Sequence, residues 1–176
     1  VTGVIVPGSP ATPNLERLPF AIPARGELPT LDNYAKLVQN GNERTAGYVE
    51  ASRGCLHLCT HCPIPPVYGG RFFVVPKEVV LEDIRQQVAA GATHITFGDP
   101  DFLNGPGHSL SVVEAMHEEF PSLTFDFTAK VEHLLNRGED LPAFAEAGCL
   151  FIISAVESLS NRVLEILDKQ HTREDV

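Results

Sequence analysis

The chain has 176 residues, 43% hydrophobic and 20% charged, enough for one domain with a real core and the balance of an ordinary globular protein. Its net charge of -10, from 13 basic and 23 acidic residues, argues against a broad phosphate-binding surface, so nucleic acid is a disfavoured but not an excluded partner. No apolar run approaches the ~20 residues of a membrane span and no charged-then-apolar leader opens the chain, which fits a cytoplasmic location. The chain starts at Val1 and its only methionine is Met116, so a piece of a longer protein is expected.

In chain order, residues 1–30 hold six prolines and an early apolar patch at residues 4–6 that suits one short strand. This segment lacks the period of a packed element and reads as a connector. A short helix is expected over residues 31–39, ended by Asn40-Gly41, so residues 1–46 form a Pro-rich connector with a short helix. From Gly47 strand-like runs alternate with helix-like ones, and residues 47–176 read as one core domain. The first strand is residues 47–53. Pro76 then opens a helix with Val80, Ile84 and Val88 on one face and Gly91 at its end. Residues 93–98 form the second strand, and residues 110–120 a helix stopped by Pro121.

The third strand, residues 123–130, alternates Phe125, Phe127 and Ala129 with Thr124, Asp126, Thr128 and Lys130. One polar face is unusual for a parallel sheet covered on both sides and suits a barrel with a functional interior. A helix at 141–147, a strand at 149–156 and a helix at 161–169 follow. The pattern helix, Ala-Gly, apolar strand occurs at Ala90-Gly91 and again at Ala147-Gly148, as repeated strand-helix units require. Four such units are visible.

Directly after the first strand comes Ser52-Arg53-Gly54-Cys55-Leu56-His57-Leu58-Cys59-Thr60-His61-Cys62-Pro63. Three sulfur ligands on one short loop suit zinc, copper(I) or an iron-sulfur cluster. A structural zinc site recruiting His57 or His61 would make a non-enzymatic Cys3His binding module, whereas three clustered cysteines make a poor disulfide framework.

The C-x3-C-x2-C spacing, with an aromatic ring at His61 before the last cysteine, resembles the radical S-adenosylmethionine superfamily. The resemblance implies a 4Fe-4S cluster held by Cys55, Cys59 and Cys62, with its open iron chelated by S-adenosylmethionine, which the reduced cluster cleaves. It implies a partial (βα) barrel, about four of whose six units lie in this chain, and a reductant of the flavodoxin or ferredoxin type. Chemistry in such barrels collects at the carboxyl ends of the strands. The second end, Gly98-Asp99-Pro100-Asp101, stands where many members carry Gly-Gly-Glu, so Gly98 would allow close approach and Asp99 or Asp101 would accept from the amino group. The third end offers Lys130 to the carboxylate, against a plain solvent-facing lysine. The fourth end, from Ser154 through Glu157, Ser158 and Ser160 to Lys169, His171 and Thr172, is similar to methylthiotransferase and cobalamin-binding members. It would bring Glu157 and Ser158 near the ribose and methionine, while the backbone at His61 meets the adenine. Cobalamin itself is not indicated in this segment.

Residues 63–76 and 94–106 also look like a bacterial group named for a CUAEP/CCAEP tail. Some of its relatives are linked to organoarsenical synthesis by aminocarboxypropyl transfer. Of the remaining candidates, Cys149 reads as a buried inert thiol, His94 as a satisfied core histidine and Ser160 as a helix N-cap. Arg71 braces the loop, and His108, His117 and His133 have no partner set.

Overall fold

The computed structural model describes Glu16 and residues 19–176; the strand expected at residues 4–6 lies outside them. The first departure from expectation is at Asn40-Gly41. Both residues have positive φ, 51° and 79°, the geometry of a two-residue hairpin turn. They join β1 (Lys36–Gln39) to β2 (Asn42–Val49) with Gln39 opposite Asn42. The helix expected over 31–39 is therefore a 3-10 turn at Leu31–Asn33 followed by strand. Asn-Gly is chemically a hairpin signal as much as a helix stop, and here pairing with β2 decided between them.

The expected first strand is also divided. β2 ends at Val49, and β3 (Ser52–Gly54) leaves the main sheet and runs on into the cysteine loop. That loop contains a one-turn helix, α1 (Ile64–Tyr68), and returns through β4 (Phe72–Val74), which pairs antiparallel with β3. The cysteines thus sit in a loop closed at its base by its own small ribbon. Strand-helix units follow: α2 (Lys77–Ala89), β5 (His94–Phe97), α3 (Pro106–Glu119), β6 (Thr124–Thr128), α4 (Val131–Asn136), α5 (Leu141–Glu146), β7 (Cys149–Ile153) and α6 (Asn161–Ile166).

The main sheet has the order β1-β2-β5-β6-β7, and β2, β5, β6 and β7 are parallel. It curls as part of a barrel. Both Ala-Gly repeats do the same work: Gly91 and Gly148 have φ of 99° and 102°, which only glycine adopts freely, and each lets a helix end turn into the next strand. Between sheet and helices Ile95, Phe97, Phe125, Phe127, Val112, Val113, Met116 and Ile84 are essentially fully buried. Phe102, from the loop after β5, completes the core with ring centroids 4.5 Å from Phe97 and 5.0 Å from Phe127.

The opposite face of β5 and β6 is polar, as the alternation predicts. Asp126 is buried and takes hydrogen bonds from the His94 imidazole (2.7 Å) and the Thr96 hydroxyl (2.7 Å), and the other His94 nitrogen meets Thr124 Oγ1 at 2.8 Å. His94 is a satisfied core histidine. No described helix is long and apolar enough to cross a membrane.

Candidate functional site

Parallel pairing puts the loops after β2, β5, β6 and β7 at one end of the sheet, and one cavity of about 150 Å3 opens there. Its wall contains Cys55, Cys59 and Cys62 with His57, His61, Asp101, Lys130, Glu157 and Lys169. All three thiols are free, Cys55 and Cys59 being buried and Cys62 half-buried. The fourth cysteine, Cys149, starts β7 beside Phe125 at the opposite end of the sheet. Burial pushes its thiol up to about 11 and it is half-buried, which suits an inert residue. A larger cavity of about 700 Å3 lies between residues 25–35 and β2, but its wall carries no cysteine, histidine or carboxylate. The smaller one, which gathers the cysteines, is therefore the candidate site.

The loop is docked from two sides. Asn104, buried after β5, places Oδ1 4.0 Å from Cys55 Sγ and accepts from the Leu56 amide at 3.4 Å. Residues at the end of α6 hold the other side: Ile166 O accepts from the Thr60 hydroxyl (2.9 Å), Leu167 O from the Thr60 amide (3.3 Å) and Asp168 O from the Cys59 thiol (3.7 Å). Burial raises the Cys55 thiol above its usual value, with the Asn104 hydrogen bond opposing.

The other residues singled out in the sequence divide sharply. Glu157, at φ 69°, stands 3.2 Å from His61 Nε2 and 3.6 Å from Lys169 Nζ, joining the loop to the segment after β7. Lys130 donates to His57 Nδ1 (3.0 Å) and Glu132 (2.9 Å) with its side chain only 9% exposed, so it does not simply reach solvent. Asp101 lines the cavity, its Oδ1 accepting from the Leu103 amide.

Asp99 is turned away. Its carboxylate accepts from the Ala51 amide (3.0 Å) and the Ser52 hydroxyl, and burial, opposed by those two donors, pushes its pKa up to about 6. Gly98 is also outside the cavity wall: a Cβ there would lie 1.8 Å from the Tyr48 hydroxyl, so its missing side chain makes room for Tyr48. The Ser158 hydroxyl accepts from the Ser160 amide, and Ser160 occupies the N-cap position of α6 without a side-chain cap.

Sequence reasoning missed one wall residue and one histidine in contact with the wall. Lys169, 5% exposed, appeared only as part of a motif. His133 was read as having no partners, yet α4 brings its Nε2 within 3.2 Å of His57 Nε2 and its Nδ1 within 2.8 Å of Asp101 Oδ2. The apolar Val131, Leu134 and Leu135 before Asn136 were the available signal for that helix. Burial, then Lys130 and His133, push the His57 imidazole below its usual pKa.

Comparison with known proteins gives this arrangement a family. The model of the radical SAM superfamily matches residues 49–176. The chain belongs to that superfamily. Its members use a 4Fe-4S cluster and S-adenosylmethionine, for which three free thiols on one loop without a fourth are the fitting donor set. Among sequence relatives, the tRNA-2-methylthio-N(6)-dimethylallyladenosine synthase of Parabacteroides distasonis is 25% identical over 160 residues, covering 84% of this chain and 34% of that protein. The enzyme of the same name from Deinococcus radiodurans is 28% identical over 133 residues, 69% and 26% of the two chains. The chain thus spans about a third of the length of the curated relatives it matches. Among solved structures, the cobalamin-dependent S-adenosylmethionine radical enzyme OxsB aligns with a TM-score of 0.62 and 23% identity over 73% of this chain and 20% of OxsB. The radical S-adenosylmethionine methyltransferase TsrM of Kitasatospora setae gives 0.59 and 18%, over 75% and 25%. These likenesses show the partial-barrel fold of this radical SAM chain.

Proposed function

We propose that this chain supplies the cluster- and S-adenosylmethionine-binding part of a radical SAM enzyme. The observation that carries the reading is the cysteine cavity: three thiols on one wall, with Lys130, Lys169 and Glu157 lining the same space. When bound, the cluster and S-adenosylmethionine supply one-electron cleavage of a carbon-sulfur bond. Cys55, Cys59 and Cys62 would hold the cluster, and the docking of their loop on Asn104 and on residues 166–168 keeps it in place and dry. Lys130 and Lys169 offer cations to the carboxylate of S-adenosylmethionine, and Glu157 an anion to its ammonium or ribose hydroxyls. The backbone at His61 would meet the adenine, and Ser158 follows Glu157 in the chain toward the ribose and methionine. A flavodoxin- or ferredoxin-type reductant would deliver the electron.

The tRNA substrate of the methylthiolating relatives is not carried over: the net charge of -10 argues against a broad phosphate-binding surface on this chain, which spans about a third of those relatives. The test is anaerobic reconstitution followed by dithionite and S-adenosylmethionine. We expect about four irons per chain and 5'-deoxyadenosine, with C55A, C59A and C62A each losing the iron. Methylthioadenosine would redirect the reading to aminocarboxypropyl transfer. Zinc on the cysteines without iron would overturn it in favour of a Cys3His binding module.

A further inference from the structure

We infer that His57, Asp101 and His133 form a site for one divalent transition-metal ion beside the cluster loop and distinct from its thiolates. Three separate segments converge there: the cysteine loop, the loop after β5 and helix α4. One ligand atom from each lies within 4.8 Å of the others. His57 Nε2 is 3.2 Å from His133 Nε2 and 3.7 Å from Asp101 Oδ2, and His133 Nδ1 is 2.8 Å from Asp101 Oδ2. The 3.2 and 2.8 Å contacts are made by the two different nitrogens of His133, of which a metal takes one; metal bonds of ~2.0–2.2 Å place neighbouring ligand atoms about 3 Å apart, so loading draws one atom from each residue inward from the 4.8 Å within which they now lie.

The second observation is an orphaned pair. Asp101 is 1% exposed, yet its Oδ2 has no hydrogen bond, and neither does His133 Nδ1, although the two atoms are in contact. A buried carboxylate oxygen left without a donor is costly. A cation placed between the two atoms satisfies both, whereas the N–H direction of the ring does not.

Two imidazoles and one carboxylate suit Zn2+, Fe2+ or Co2+ and leave at least one position open. His57 and Asp101 both line the cysteine cavity, so the open position faces it and would take water or a Lewis-basic group of a substrate. In the metal-free arrangement Lys130 donates to His57 Nδ1, leaving the ring proton on Nε2. Loading the metal on Nε2 moves that proton to Nδ1. Glu132 Oε2, 3.8 Å from Nδ1 and 2.9 Å from Lys130 Nζ, is placed to accept from both groups then, as carboxylates do behind metal-bound histidines.

The test is metal content of the anaerobically reconstituted chain after equilibration with zinc and removal of the excess. We expect about one zinc beyond the ~four irons of the cluster. H133A and D101N should lose that zinc and keep the iron; D101N retains an oxygen for the Leu103 amide, so it guards against misfolding. The C55S/C59S/C62S chain should lose all iron and keep one zinc, which separates this site from the cluster reading. No extra zinc in the wild type, zinc that persists in both H133A and D101N, or zinc that disappears with the thiolates would each overturn the assignment.

Discussion

Asp99 is the residue for which motif position and structure lead to different experiments. Its carboxylate is 2% exposed and braces Ala51 and Ser52, the residues leading into the cysteine loop, with burial the largest influence on its pKa of about 6. An unfolded chain would titrate it near 3.8. The folded state therefore holds a proton that the unfolded state has released between these values, so the protonated carboxyl favours the fold and ionisation opposes it. The contribution is full below 3.8 and is lost as the pH rises through about 6. The gap corresponds to about 3 kcal/mol, of which roughly half falls between pH 5 and 7.5. D99N cannot ionise. It keeps one acceptor where the carboxylate served two donors, and should cost about 1–2 kcal/mol at low pH. Urea unfolding of wild type and D99N across that range is the assay, with the quantity of interest being the change of their difference with pH. We expect the two proteins to be about equally stable at pH 5 and D99N to be ahead by about 1–2 kcal/mol at pH 7.5, a change of about 1.4 kcal/mol in their difference. Parallel stability curves would refute the burial argument.

Three further perturbations test other parts of the architecture. Phe102→Ala removes a ring that touches Phe97, Phe127 and Phe144 and should cost about 3–5 kcal/mol in chemical denaturation; a cost under about 1 kcal/mol would mean the core does not close over the β5 loop. Arg25 grips the buried Asp83 through two bonds, at 2.6 and 2.7 Å, and Tyr48 O through a third at 2.7 Å. Arg25→Met should thus destabilise by about 2–3 kcal/mol, and Arg25→Met with Asp83→Leu by less, because the double change leaves no buried charge; equal losses would show that the pair is solvated. Cys149→Ser, at the far end of the sheet, should leave the iron content unchanged, and loss of iron there would overturn the ligand assignment.

What the sequence disclosed was set by the range of the interactions concerned. Strands β5, β6 and β7 and helices α2 and α3 were readable because period, proline starts and glycine ends are local signals, and Gly91 and Gly148 do what their repeated context implies. The cysteine loop was readable because three ligands within eight residues need no tertiary knowledge. Residues 31–39 were misread because Asn40-Gly41 serves both helix stops and hairpins, and only the β2 partner selects one. The break between β2 and β3 was hidden because the strand-like run continues unbroken while the chain changes sheets.

The same reasoning explains why the wall of the site was only half legible. His57 meets His133 across 76 residues and His61 meets Glu157 across 96. These pairs exist because parallel register brings the loops after β2, β5, β6 and β7 to one end of the sheet. Given that topology, any polar residue within a few positions of a strand's carboxyl end is a candidate, and direction then decides among them. Asp99 and Asp101, two residues apart after β5, show the decision. One turns back to the Ala51 amide and the Ser52 hydroxyl and the other forward to His133. Gly98 is spent on a tyrosine rather than a ligand for the same reason. A strand-end motif marks which loop carries chemistry, but the pairing of its side chains is a property of the loops on either side of it.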